Sequence, residues 1–244
     1  MIILNNFRTD LKIDNNKIYK IIKKYKNFEI LENKNNKSIY HTIKFNNVEN
    51  KKELIRITKK ELLLFIKSFN VKINHILIIG LGNEANTADS FGPKLIKKIN
   101  VNFNIDTIKN INSVKISALI PGVLGITGIE TNKIIKSVVR EIKPNLIILI
   151  DSIVTNNINF INKTIQISNE CFSPGSGIYG NNKIIKTKIP IISIGIPTSL
   201  EYYHNNIPFL LTPSNIDSFI NDISDIVSNS INESIYNELM DTPV

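Results

Sequence analysis

Two aspartates stand where a sheet would bring them together. Asp89 lies in the loop Gly80-Leu-Gly-Asn-Glu-Ala-Asn-Thr-Ala-Asp-Ser-Phe-Gly-Pro93, which follows the apolar run Ile76–Ile79. Asp151 ends a second apolar run, Leu146-Ile-Ile-Leu-Ile-Asp151. Uninterrupted apolar runs of this length mark parallel strands buried on both faces. In open α/β sheets the carboxyl ends of such strands form the edge where ligands bind, so both carboxylates are expected to project there. Two carboxylates at one place can share a proton, one acting as acid while the other acts as base. Hydrolysis is one chemistry that such a pair would serve.

Each aspartate also has a plainer reading. An acid just ahead of a helix is an ordinary N-cap, a task Ser90 shares with Asp89. Asp151 is harder to dismiss, because a carboxylate directly after five apolar strand residues needs a partner or a purpose. The other motifs are less specific. Gly80-x-Gly82-x-x-Ala85 satisfies the dinucleotide-binding pattern only literally: Asn83, Asn86, Thr87 and Pro93 delay the helix that should begin at the second glycine. The loops Pro121–Gly128 and Ser173–Gly180 are glycine-rich, suiting either a substrate backbone or tight turns. The first leads into a helix, so its amides also suit a developing oxyanion. His41, His75 and His204 lack metal-ligand spacing, Cys171 has no CxxC partner, and no Gly-x-Ser-x-Gly elbow is present.

The elements that must position the two acids alternate along residues 76–230. Strands are expected at Ile76–Ile79, Val114–Ile120, Leu146–Ile150, Thr164–Ile167 and Pro190–Ile196. Helices are expected from about Ser90, over Ile129–Ile142, where Ile134, Ile135, Val138, Val139 and Ile142 form one face, and from Ser214. This alternation implies an α/β fold: a mainly parallel sheet with helices on both faces, three layers in all. Residues 1–75 read as a small N-terminal α+β extension packed on the core, with a strand over Ser38–Phe45 and a short helix over Lys59–Ser68. Residues 76–244 form the α/β core.

Composition narrows the class further. The chain has 244 residues, 42% of them hydrophobic, enough for one large core. One cysteine excludes an internal disulfide framework and fits a reducing cytoplasm. No apolar run approaches the ~18 residues of a membrane span, and the start lacks the pattern of a signal peptide. The net charge is +9, but the basic residues are unevenly placed. Residues 1–75 carry 17 basic and 7 acidic side chains, whereas 201–244 contain no Lys or Arg. The lysines are scattered among Asn and Ile with few aromatics, which describes a solvated surface more than a nucleic-acid patch.

Taken in order, the motifs resemble the spore germination protease family, endopeptidases that degrade small acid-soluble spore proteins. The resemblance is carried by Gly80-Leu-Gly-Asn83, Thr87-Ala-Asp-Ser-Phe-Gly-Pro93, Pro121–Thr131 and Lys143–Asp151. It continues through Asn162–Ile167, Pro174–Gly177, Ile189–Thr198 and Leu211–Asp217, with Arg8-Thr-Asp-Leu11 near the start. The family implies a fold akin to hydrogenase maturation proteases, a homotetramer, and the spore-core cytoplasm as location. It implies an atypical aspartic mechanism with Asp89 and Asp151 as the catalytic pair, small acid-soluble spore proteins as substrates, and neither nucleic acid nor membrane as direct partner. In the hydrogenase maturation relatives the corresponding acids bind a metal with a histidine. No counterpart of that histidine is evident here, so no cofactor is expected; a metal-assisted maturation-type protease and a non-catalytic spore protein retaining the fold stand as the alternatives. Family members carry an amino-terminal propeptide. Only Met1–Asn6 precede Phe7-Arg8-Thr9-Asp10, which leaves little to remove.

Overall fold

A computed structural model describes residues 10–12, 19–35, 38–102, 114–171, 188–205 and 207–238. Three antiparallel strands come first: β1 (Lys20–Lys24), β2 (Phe28–Lys34) and β3 (Ile39–Phe45). Helix α1 (Lys51–Ser68) follows, its start marked by Asn50, whose side chain accepts from the Glu53 amide. Strand β4 (His75–Gly80) leads through a 3-10 turn (Thr87–Asp89) into the short helix α2 (Phe91–Ile96). Then come β5 (Lys115–Leu119), the single turn α3 (Leu124–Thr127), α4 (Thr131–Ile142), β6 (Leu146–Thr155) and β7 (Thr164–Ser168). Strands β8 (Ile191–His204) and β9 (Ile207–Leu211) precede the last helix, α5 (Ile216–Glu238).

The nine strands among the described residues join one sheet in the order β1-β2-β3-β7-β8-β6-β4-β5, with β9 paired to β8. The α/β class holds, but the sheet is mixed and not mainly parallel. Only β5-β4-β6-β8 run parallel; the β3–β7, β7–β8 and β8–β9 ladders are antiparallel, as are those within β1–β3. The N-terminal strands therefore extend the sheet through β3 and β7, rather than lying on it as a separate layer.

Alternation along each strand divides the core. Ile76, Ile78, Ile148, Ile150, Ile192 and Ile194 face the larger cluster with α1, α2 and α5. Leu77, Ile79, Ile147 and Leu149 face the opposite side, where Ile135 of α4 is buried and Val138, Val139 and Ile142 pack against them. The parallel half thus has helices on both faces. Helix α1 starts eight residues earlier than its apolar run suggests, because its first turns are polar and only Leu54, Ile57 and Thr58 point inward.

Candidate active site

β4 and β6 bring the two aspartates to one edge. They pair in parallel with Gly80 opposite Ile150, and the Leu81 amide extends the ladder by donating to the Ile150 carbonyl at 2.8 Å. The chain therefore leaves β4 directly beside Asp151. On the other side of β6, Asp151 pairs with Gly195 of β8. The strand does not stop at Ile150 as the apolar run suggests. It continues to Thr155 because β8 supplies partners as far as Leu200, so Asp151 is a residue inside a strand and not a strand end. By alternation it shares the face of Leu149 and Ile153.

Asp89 is set by the loop that follows β4. The Asn83 amide donates to the Asp89 carbonyl at 3.0 Å and to Asp89 Oδ2 at 2.9 Å. Gly82 makes this closure possible: its φ is +112°, and a Cβ there would stand 2.0 Å from the Asp89 carbonyl oxygen. Three hydroxyls hold the turn. Thr198 of β8 donates to the Ala88 carbonyl at 2.6 Å, Thr87 donates to Asp217 of α5 at 3.2 Å, and Ser90 donates to the Thr87 carbonyl at 2.8 Å. Behind the turn, α2 lies directly on the strand, since a Cβ on Gly80 would meet the Gly92 carbonyl oxygen at 2.4 Å.

This geometry separates the two readings of Asp89. The N-cap of α2 is Ser90, without a side-chain capping bond, and the Asp89 carboxylate reaches back to Asn83. Asp89 is a loop-closing carboxylate held at the sheet edge. The same loop does not form a dinucleotide fingerprint, because a 3-10 turn and a six-residue helix occupy the place of the required helix.

Both carboxyls are displaced toward their neutral forms. Burial raises Asp89 to about 6, against the downward pull of the Asn83 amide. Asp151 is pushed well above the usual carboxylate range, first by burial, then by the negative fields of Asp89 and of Asp10, with the Ser152 amide opposing. Each residue nevertheless keeps part of its surface open to solvent. A carboxylate pair that repels itself in a partly enclosed edge is suited to holding one proton between two groups.

The other singled-out residues lie elsewhere or form part of the frame. The Pro121–Gly128 loop follows β5, beside β4, and so stands at the same edge; it forms the exposed turn α3, with Leu124 and Ile126 facing solvent. The Ser173–Gly180 loop lies outside the described residues. His75 bonds Ser117 at the amino end of β4, and His41 sits between Glu61 and Glu32 on the N-terminal part of the sheet. Cys171 packs against the second core cluster. Among the described residues no group of three or more His, Cys, Asp or Glu side chains could hold a metal ion. Nor is any described helix long and apolar enough to cross a membrane. Thr198 and the Asn83 amide were hidden in the sequence, because their roles depend on which carbonyl and carboxylate the fold brings to them.

Comparison with known proteins matches residues 5–207 to the germination proteases. The chain belongs to the germination protease family. The matched span contains Asp89, Asp151, Asp10 and Thr198, and stops short of α5. The germination protease of Priestia megaterium is 38% identical over 168 residues, covering 65% of this chain and 45% of that protein. That of Caldanaerobacter subterraneus subsp. tengcongensis is 39% identical over 156 residues, 57% of this chain and 46% of that protein. The Bacillus subtilis germination protease is 34% identical over 167 residues, with 65% and 45% covered. The chain spans about half the length of these relatives.

Proposed function

We propose that this chain is an endopeptidase that starts the degradation of small acid-soluble spore proteins at germination, using Asp89 and Asp151 to activate water. The observation that carries this reading is the carboxylate pair: one acid on β6 and the other on the turn that follows the neighbouring parallel strand β4, both pushed toward the neutral form by burial, and Asp151 further by the field of Asp89. Membership of the germination protease family supports the reaction class. We further propose the spore-core cytoplasm as its location, a homotetramer as its assembly, and a parallel half-sheet akin to that of hydrogenase maturation proteases.

In this mechanism one carboxylate is ionised and takes a proton from water as the water oxygen bonds to the scissile carbonyl carbon. The other is protonated and donates to the carbonyl oxygen. As the carbon–nitrogen bond breaks, the first acid passes its proton to the leaving amine, and the collapsing diol returns a proton to the second. The pair is restored without any other group. No step is routed through a metal.

The test is incubation of the purified protein with a small acid-soluble spore protein, mapping cuts by mass spectrometry. Asp89→Asn and Asp151→Asn run alongside, each with and without chelator. The expected result is discrete internal cleavage by the parent, unaffected by chelator and lost in both variants. No cleavage by the parent sinks the protease reading. Cleavage that survives both substitutions sinks the assignment of the site.

A further inference from the structure

Helix α1 carries two stripes. The inner one, with Leu54, Ile57, Leu62, Phe65 and Ile66, is buried in the larger core. The outer one mixes cations with apolar residues at the three- and four-residue spacing of a single helical face, its line marked by Lys52, Ile55, Lys59, Leu63 and Lys67. These side chains line a groove of about 510 Å³. Its apolar lining is Ile55, Leu63 and Leu64, and Leu64 is 45% exposed. Its charged lining is one-sided: four lysines and Arg56 against a single acid, Glu233 of α5. Arg56 is paired with Glu53 at 2.6 Å, and Lys59 stands 4.0 Å from Glu233. Among the described residues no ion pair involves Lys52, Lys60 or Lys67, so the groove keeps a positive excess over an apolar strip.

We propose that this groove binds an acidic amphipathic helix of a partner protein, laid along α1 with its apolar face on Ile55, Leu63 and Leu64 and its carboxylates toward Lys52, Lys60 and Lys67. The neighbour that α1 already has shows the chemistry. Helix α5 contains five acids and neither Lys nor Arg. It meets α1 through the Lys51–Asp222 ion pair at 2.6 Å and through the Ser230 hydroxyl, which donates to the Ile55 carbonyl at 3.2 Å. An acidic amphipathic helix is thus a kind of partner that α1 sustains within its own fold. From Lys52 to Lys67 the helix rises about 22 Å, which a partner helix of about four turns would match. Helix-in-groove recognition of this type takes its affinity from the apolar anchors and its selectivity from the charged rim. Nucleic acid fits less well, because no aromatic side chain lines the groove to stack on a base. An anionic lipid surface also fits less well, since Leu63 is buried and Ile55 half-buried, leaving only Leu64 to insert. The groove shares no residue with the aspartate pair, so binding there is independent of peptidase activity.

The probe is a fluorescent four-turn peptide with leucines along one helical face and glutamates on the rest, titrated into the full chain and followed by anisotropy. A permuted peptide of the same composition, with its leucines spread around the helix, serves as control. Saturable binding of the patterned peptide is expected, with the permuted one about tenfold weaker. Reversing two rim charges together, Lys60→Glu with Lys67→Glu, should weaken the patterned peptide about tenfold. Added salt should weaken binding to the parent and change binding to that double variant little. Leu64→Ser should cost a similar factor by removing the exposed anchor. Lys60 and Lys67 are exposed, so the charge reversal decides the matter should Leu64→Ser fail to fold. The proposal is overturned by an absence of saturable binding, by equal affinity for the permuted peptide, or by parent-like affinity in the folded double variant. It is equally overturned if a single-stranded oligonucleotide or a phosphatidylglycerol vesicle binds the groove more tightly than the peptide and loses that binding in the double variant.

Discussion

A single amide, that of Asn83, donates to both the carbonyl and the carboxylate of Asp89, at 3.0 and 2.9 Å. The closure of the loop and the placement of the acid are therefore one feature. Anything that opens the turn moves the carboxylate, and anything that removes the side-chain oxygen accepting from Asn83 loosens the turn.

Gly82→Ala tests the first half of that statement. The methyl group would meet the Asp89 carbonyl oxygen at 2.0 Å, and φ of +112° is strained for any residue with a Cβ. The loop must shift, at a cost of about 1–3 kcal/mol. A displacement near 1 Å at a reacting group lowers turnover about 100-fold. Urea unfolding and cleavage assays should show a folded protein with that loss of kcat. Parent-like kcat would mean that Asp89 does not depend on Gly82 for its position.

Asp89 also ties stability to pH. Its carboxyl is raised from 3.8 to about 6 in the folded protein, so the fold favours the protonated form. The stability this contributes is fully present below the unfolded value and is lost as pH rises through about 6. A shift of that size corresponds to roughly 3 kcal/mol. Asp89→Asn, which mimics the neutral acid, should flatten the decline between pH 4 and about 6, and unfold later than the parent at neutral pH. Denaturant midpoints measured across that range check it; two parallel stability curves would refute the linkage.

The meeting of Asp89 and Asp151 was legible in the sequence because its signal is strong. Ile76–Ile79 and Leu146–Ile150 are uninterrupted apolar runs, which mark strands of a covered parallel sheet, and there β4 and β6 pair as neighbours. In the antiparallel half, β3 and β7 were legible in Ser38–Phe45 and Thr164–Ile167, but β1, β2 and β9 were not, for a physical reason. Lys20–Lys24 and Phe28–Lys34 mix charged and apolar residues, and their buried face exists only once β3 and α1 cover it. β9 contains Pro208 and is exposed along its length, so no core pattern marks it as a strand. Asp151 and Ser152 break an apolar run and so imitate a strand end, although the ladder with β8 carries on past them. Periodicity records burial, and it is silent where the backbone ladder alone sustains an element.

The N-terminal strands are joined to α1 by a buried charge cluster centred on Glu61. Its side chain is fully buried, accepting from Lys23 Nζ at 2.8 Å and paired with His41 Nδ1 at 2.7 Å. Burial alone would raise this carboxyl, but the hydrogen bonds from His41 and Lys23 outweigh burial and hold it below its ordinary value. Its stabilisation is therefore present above the unfolded pKa and is lost as pH falls through the folded one. Glu61→Gln leaves Lys23 and His41 without their shared acceptor charge, at an expected cost of about 3–5 kcal/mol. Thermal unfolding at neutral pH should show that loss, with the gap to the parent narrowing in acid. Hydrogen exchange should localise the loosening to β1–β3. A variant as stable as the parent at neutral pH would mean the cluster contributes nothing net.

Thr198 offers the sharpest separation of positioning from binding. It is buried on β8, and its hydroxyl donates to the Ala88 carbonyl at 2.6 Å, one residue before Asp89. Valine matches threonine in shape and lacks the donor, so Thr198→Val leaves that carbonyl without this bond, costing about 1–3 kcal/mol. The turn would keep its bonds from Asn83 and Thr87 and lose its anchor to the strand next to Asp151. Because the bond aims the carboxylate and makes no contact required for holding a peptide, kcat should fall about tenfold with KM little changed. Thr198→Ser restores the donor and should recover most of the lost rate. Equal kcat for Thr198→Val and the parent would show that the turn holds its position without β8, while a rise in KM alone would place Thr198 in substrate binding.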